Sequence, residues 1–234
     1  LPGGVVLASA FHTAADESYA LLQDMADSDP KGPLRNLEFW TTEFEERTGR
    51  SVQADLVDAM GERGWFFLLE GDAAHTLNAV MILETDDDTA VDGMVRDLLN
   101  WWSDHARGRS LGLFSPKLEG NHLTFRTLFG ELPGPAFEVR NGFLFLATSP
   151  EALLEGRKLL RTLKQWQPTV PAVPAAGQFA HESVRVSGKA LADWVEMLES
   201  PGELGELLHS LDSIALDVWY VDETIHVTGM AEFR

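Results

Sequence analysis

The spacing of apolar residues changes several times along the chain, and each change marks an element. Val5-Val6-Leu7-Ala8-Ser9-Ala10 is a run of strand length. From Ala14 to Ala26 the period lengthens to that of a helix, with Ala15, Tyr19, Leu22 and Met25 on one side. Asp27-Ser28-Asp29-Pro30-Lys31-Gly32-Pro33 interrupts it. A second helix carries Leu37, Trp40, Thr41 and Phe44 and ends near Thr48-Gly49. Ser51 predicts the cap of a short third helix that runs through Met60 and stops at Gly61.

A β-rich block follows. Trp65 to Glu70 and Leu77 to Glu84 read as two strands, and Thr89 to Trp102 as a helix. That helix has Val91, Met94, Val95, Leu98, Leu99 and Trp102 at the spacing of one buried face. Thr89 with Asp92 predicts an acidic capping box at its start. The plan then recurs. His122 to Leu128 and Ala136 to Arg140 alternate as strands, Asn141-Gly142 signals a tight hairpin, and Phe143 to Thr148 returns from it. Ser149-Pro150 opens another helix, cap first and proline at the first helical position. An extended proline-rich connector spans 166–180. Beyond it come a strand at Ser183 to Ser187, helices at Lys189 to Glu199 and Leu204 to Leu208, and a closing hairpin of Ser213 to Val221 and Thr224 to Phe233.

Hairpins rather than long crossovers feed these strands, so the expected class is α+β: a mostly antiparallel sheet with helices on one face. Two strand-strand-helix repeats, ending their second strands at Glu84 and Thr148, predict a single domain over 1–234 with related halves of about 1–110 and 111–234.

Composition narrows the function more than it names it. The 234 residues are 44% hydrophobic, enough for a sizeable core and too many for a disordered chain. Eighteen basic against 37 acidic residues leave a net charge of −19, which repels phosphate backbones and anionic lipid. Nucleic acid is therefore not an expected partner. There is no cysteine, hence no disulfide, thiolate metal site or cysteine nucleophile. No apolar run approaches the roughly 20 residues of a membrane-spanning helix, so the chain as given is not expected to hold an integral membrane segment.

Several of these blocks together resemble a family of bacterial exported proteins whose shared domain has no assigned function. The resemblance rests on Leu1-Pro2-Gly3-Gly4-Val5-Val6-Leu7, on Asp55-Leu56-Val57-Asp58-Ala59-Met60-Gly61 leading into Trp65 to Glu70, and on Val80 to Glu84 running into an acidic helix cap. It continues through Pro135-Ala136-Phe137-Glu138-Val139 and Gly142-Phe143-Leu144-Phe145-Leu146-Ala147-Thr148-Ser149. It covers most of the chain and implies an extracytoplasmic α+β protein, periplasmic or at the cell surface, anchored or secreted. It carries over no catalytic residue. The chain begins at Leu1, without the leader or anchor that such proteins carry.

Gly108-Arg109-Ser110-Leu111-Gly112 matches the G-x-S-x-G nucleophile elbow, with Asp193 or Asp217 and then His226 in a permissive order. An elbow needs a strand before its serine. Here a helix precedes Ser110 and Pro116 follows closely, so a loop is the expected reading and a serine hydrolase the alternative. Glu84, Asp86, Asp87 and Asp88 crowd one strand-to-helix junction. Such hard oxygen ligands suit Ca²⁺, making a calcium-stabilised module a second alternative, but EF-hand spacing is absent and carboxylates also favour a helix N-terminus. His12, His75, His105, His122, His181, His209 and His226 are scattered without metal-site spacing. Paired acids such as Asp24/Asp27 and Glu43/Glu46 read as solvated helix surface, and no phosphate-loop or dinucleotide glycine motif occurs.

Of seven tryptophans, Trp40, Trp102 and Trp194 fall on core stripes. Trp65, Trp101, Trp166 and Trp219 are less determined. Trp219 shares its strand face with Asp217, away from Leu216, Val218 and Tyr220. Trp101 and Trp219 are the expected partner contacts, because aromatic residues enrich interface cores. The expected function is thus non-enzymatic: a binding or assembly protein with a protein partner or oligomer, an accessory subunit of a larger envelope complex, and no required cofactor.

Overall fold

The computed structural model describes residues 4–12, 15–29, 31–32, 34–71, 77–109, 114–127, 130–163, 178–187, 189, 210–221 and 224–233. Among them are ten strands and five α-helices, consistent with an α+β fold. In chain order these are β1 (Val5–His12), α1 (Ala15–Ser28), α2 (Leu37–Thr48), α3 (Val52–Asp55), β2 (Met60–Glu70), β3 (Leu77–Thr85), α4 (Asp88–Arg109) and β4 (Phe114–Glu119). Then follow β5 (His122–Thr127), β6 (Gly130–Val139), β7 (Phe143–Ala147), α5 (Pro150–Leu163), β8 (Gln178–Ser187), β9 (Leu211–Val221) and β10 (Thr224–Phe233). The strand order is β10-β9-β8-β1-β2-β3-β7-β6-β5-β4, and every register described is antiparallel. The chain divides into two compact units, one of Leu1–His12, Arg63–Met81 and Leu154–Arg234, the other of Thr13–Glu62 and Ile82–Leu153.

In the second unit, one face of α4 makes the core. Val91 and Val95 pack with Ala59, Phe137 and Leu144, and Leu83, Leu99, Leu118, Val139 and Leu146 close around them. The strand members come from β3, β4, β6 and β7, and alternate residues of a strand share a face. On β7, Leu144 faces this cluster, while Phe145 and Ala147 point to the opposite face and are also buried. The sheet is therefore covered on both faces at β7, where the pattern had predicted helices on a single one. In the first unit, Gly156 of α5 lies so close to Val80 that a Cβ there would come within 2.6 Å of a Val80 methyl.

Local signals set several boundaries. Gly49 ends α2 in the left-handed conformation at φ 72°, and the Ser51 hydroxyl accepts the N–H of Ala54 to start α3. Asn141 and Gly142 both have positive φ, 55° and 79°, as a type I′ hairpin demands. The Ser149 hydroxyl accepts the N–H of Ala152 at the start of α5.

Other boundaries differ from expectation. The third helix does not reach Met60: α3 gives way to a single 3-10 turn, Val57–Ala59, and Met60 and Gly61 already belong to β2. Helix α4 is capped by Asp87, whose Oδ1 accepts the N–H groups of Thr89 at 2.9 Å and Ala90 at 3.0 Å, so Thr89 is inside the helix and not its cap. Leu98 and Trp102, placed on the buried stripe, are 37% and 39% exposed. On the stripe of α1, Ala15 and Tyr19 are half-buried and Leu22 and Met25 exposed, so the helix holds no fully buried residue. The helices expected at Lys189 to Glu199 and Leu204 to Leu208 lie outside the described residues, as do residues 164–177, most of the proline-rich connector.

Candidate functional site

The most distinctive grouping joins α2 to the C-terminal half of α4. Trp40 and Phe44 stand four apart on α2, and Trp101 and His105 four apart on α4, so each pair shares one helix face. Trp40 meets Trp101 edge-on at 6.0 Å between ring centroids and His105 at 4.8 Å. Phe44 meets Trp101 at 5.8 Å, and the Trp101 and His105 rings lie 5.7 Å apart. The edge-to-face arrangement sets positive ring edges against negative faces, a geometry worth about 0.5–1.5 kcal/mol per pair beyond burial. Trp101 Nε1 and His105 Nε2 are buried without a hydrogen-bond partner among the described residues.

This packed group reaches the surface at Phe39. Its ring stacks edge-on against Trp40 at 5.0 Å yet is 60% exposed. Helix α1, which touches α2, adds Leu21, Leu22 and Met25, exposed by 60%, 41% and 52%. An aromatic held rigidly from behind is the kind of anchor that interface centres use. Trp101, the expected contact, packs against Trp40 and Phe44, and Phe39 is the exposed ring of the group. The sequence did not single out Phe39 because a lone aromatic beside Trp40 has no periodic signature of exposure.

The acidic junction is ordered by its own chain. The Ala59 carbonyl accepts the N–H groups of Asp86 at 2.8 Å and Asp87 at 3.3 Å. Asp87 caps α4. Asp88 accepts the Thr85 hydroxyl through one carboxylate oxygen and the Gly142 N–H at 3.1 Å through the other. The Glu84 side chain lies against Gly61. Among the described residues no group of three or more histidine, aspartate or glutamate side chains could hold a metal ion.

Ser110 lies outside the described residues, but its approach is visible: Gly108 and Arg109 are the last turn of α4, so the chain enters from a helix and not from a strand. Just before it, the buried Ser103 donates to the Pro116 carbonyl at 2.6 Å, and Arg107 Nε donates to the same oxygen at 2.9 Å. These bonds fasten α4 to β4. Arg50 ties α2 and α3 to α4 in a similar way, bonding Asp97 at 2.9 Å and lying 3.7 Å from Asp55. The Asp97 hydrogen bond, against a small opposing burial, raises the Arg50 guanidinium above its usual pKa.

The strand register also gathers residues that are far apart in sequence. His12 of β1 is opposite His181 of β8, His181 is opposite Trp219 of β9, and Trp219 is opposite His226 of β10. Three histidines and the second expected contact, Trp219, thus occupy one row across four strands.

No helix among the described residues is long and apolar enough to cross a membrane. No protein-family model, curated protein or solved structure matches this chain.

Proposed function

We propose that this chain is a non-enzymatic binding or assembly protein, an extracytoplasmic subunit of a larger envelope complex, which docks a protein partner on the exposed faces of α1 and α2. The observation that carries the reading is Phe39, solvent-facing yet braced by Trp40, which itself packs on Trp101, on a helix that touches α1 with its exposed Leu21, Leu22 and Met25. Burying these four side chains against a partner is favourable by roughly 1.5–3 kcal/mol for each one fully covered. The extracytoplasmic placement rests on the resemblance alone. The strand order favours the two-repeat plan: β2-β3-α4 and β6-β7-α5 share one element sequence, and β3 and β7 are neighbours with β2 and β6 outside them.

Native mass spectrometry of material from the protein's own source tests this directly. Recovery bound to a different protein, which is lost on Phe39→Lys with Leu22→Lys, is the expected result. A species of this 25.9 kDa chain alone, single or self-paired, or a bound protein retained through both changes, overturns it.

A further inference from the structure

We infer that β10 is a self-pairing edge through which two copies of this chain form a symmetric dimer, an association separate from the partner surface of α1 and α2. The strand order ends in β10 and β4, and the two ends are built differently. β4 is six residues long and carries Pro116, Lys117 and Glu119, features that discourage strand addition. β10 is ten residues of regular strand without proline or lysine, and in a chain with 37 acidic residues it holds a single carboxylate, Glu232. The one irregularity in its pairing places the extra residue, Asp212, on β9. Its outer N–H and C=O groups have no strand beside them among the described residues.

The occupant is argued from complementarity. An antiparallel two-fold pairing makes each residue oppose one in the other copy at a constant sum of numbers. Centred on Gly229, that register sets the exposed Val227 opposite Ala231 and the backbone of His226 opposite that of Glu232, each twice by symmetry. Glu232 already accepts a hydrogen bond from the Ser213 hydroxyl at 2.9 Å on its own sheet, which holds the carboxylate at that register position. Val227 and Phe233 are 59% and 63% exposed in the single chain and lose solvent on pairing.

The absence of cysteine allows a clean test. His226→Cys and Glu232→Cys are prepared separately in the full chain, then mixed under mild oxidation. The mixture is expected to give a covalent dimer, and each variant alone far less, because only the mixture places the two thiols opposite one another. Equal cross-linking by either variant alone, or none in the mixture, overturns the register. Light scattering at up to about 100 µM, which detects associations weaker than micromolar, gives a second readout. The native chain and Phe39→Lys are expected as dimers, and Val227→Lys, an exposed and tolerant position, as a folded monomer. A monomeric native chain, or a dimer that survives Val227→Lys, overturns the proposal.

Discussion

Asp88 holds Gly142. The carboxylate at the start of α4 accepts the backbone N–H in the β6–β7 turn at 3.1 Å, across 54 positions of sequence, while also accepting the Thr85 hydroxyl. One side chain thereby joins the end of β3, the start of α4 and a hairpin turn. Hydrogen bonds to an ionised acceptor contribute about 1.5–3 kcal/mol. Asp88→Ala is expected to lower unfolding free energy by about that much in urea titrations. A loss below about 0.5 kcal/mol removes the bracket from the account.

Gly142→Ala isolates the turn. A Cβ there has ordinary space, 3.7 Å from the nearest atom, the Thr85 carbonyl oxygen, so any loss comes from the backbone at φ 79°. An L residue in that conformation costs about 1 kcal/mol or more. Thermal melts are expected to show a lower Tm for Gly142→Ala and a much smaller change for Gly142→Asn, since asparagine tolerates the left-handed region.

Gly93 and Arg50 form a coupled pair. A Cβ on Gly93 would clash with Arg50 Nη2, and Arg50 bonds Asp97 one turn further along α4. Replacing a helical glycine with alanine gains about 0.8–1 kcal/mol of propensity. In the native chain that gain is offset by displacing the guanidinium. Gly93→Ala is expected to be nearly neutral alone and stabilising by about 0.5–1 kcal/mol in an Arg50→Ala background. Additivity in the double-mutant cycle would show that the two residues do not interact.

Glu119 titrates low. The Lys117 hydrogen bond at 2.7 Å, with its charge, holds the carboxyl below its usual range. A depressed folded-state pKa contributes stability above the unfolded value that fades as pH falls through the folded one. Carboxyl NMR titration is expected to place the Glu119 midpoint below that of an unpaired glutamate, and Lys117→Ala to restore it. Because the site is open to solvent, the pairing is also expected to weaken with added salt.

Ser103→Ala removes a donor to the Pro116 carbonyl and the acceptor of an Arg107 Nη2 bond at 3.1 Å, while the Arg107 Nε bond to that carbonyl can persist. The expected loss is about 1 kcal/mol, and Arg107→Ala on top is expected to cost more than Arg107→Ala alone. Amide exchange in β4 reports it: faster exchange in the double variant is the expected result, and unchanged exchange refutes the tether.

The elements legible in sequence were those whose signal is local. Asn141-Gly142, Ser149-Pro150 and Ser51 each act within a few residues, and each sits where its chemistry requires. The α4 cap was misassigned because Asp87 and Thr89 both cap well. The choice between them is made by the Ala59 carbonyl, which fixes Asp86 and Asp87 from far along the chain. β4 went unread because Phe-Ser-Pro-Lys-Leu-Glu contains a proline, tolerated there only because the strand lies at an edge. Apolar spacing identified α1 as a helix, yet spacing is blind to whether anything covers the stripe. The row of His12, His181 and His226 was invisible for a related reason: it exists only in register across strands.

β1 pairs along one side with β2 and along the other with β8, whose residues 181–186 are joined to it some 170 positions later in the chain. On a ribosome adding about 5–20 residues per second, the first strand therefore waits roughly 10–35 s for its second neighbour. During that interval Leu7 to His12 present a bare hydrogen-bonding edge to anything nearby. Among the described strands no other neighbours are made so far apart, so β1 is the strand whose pairing stays open longest during synthesis.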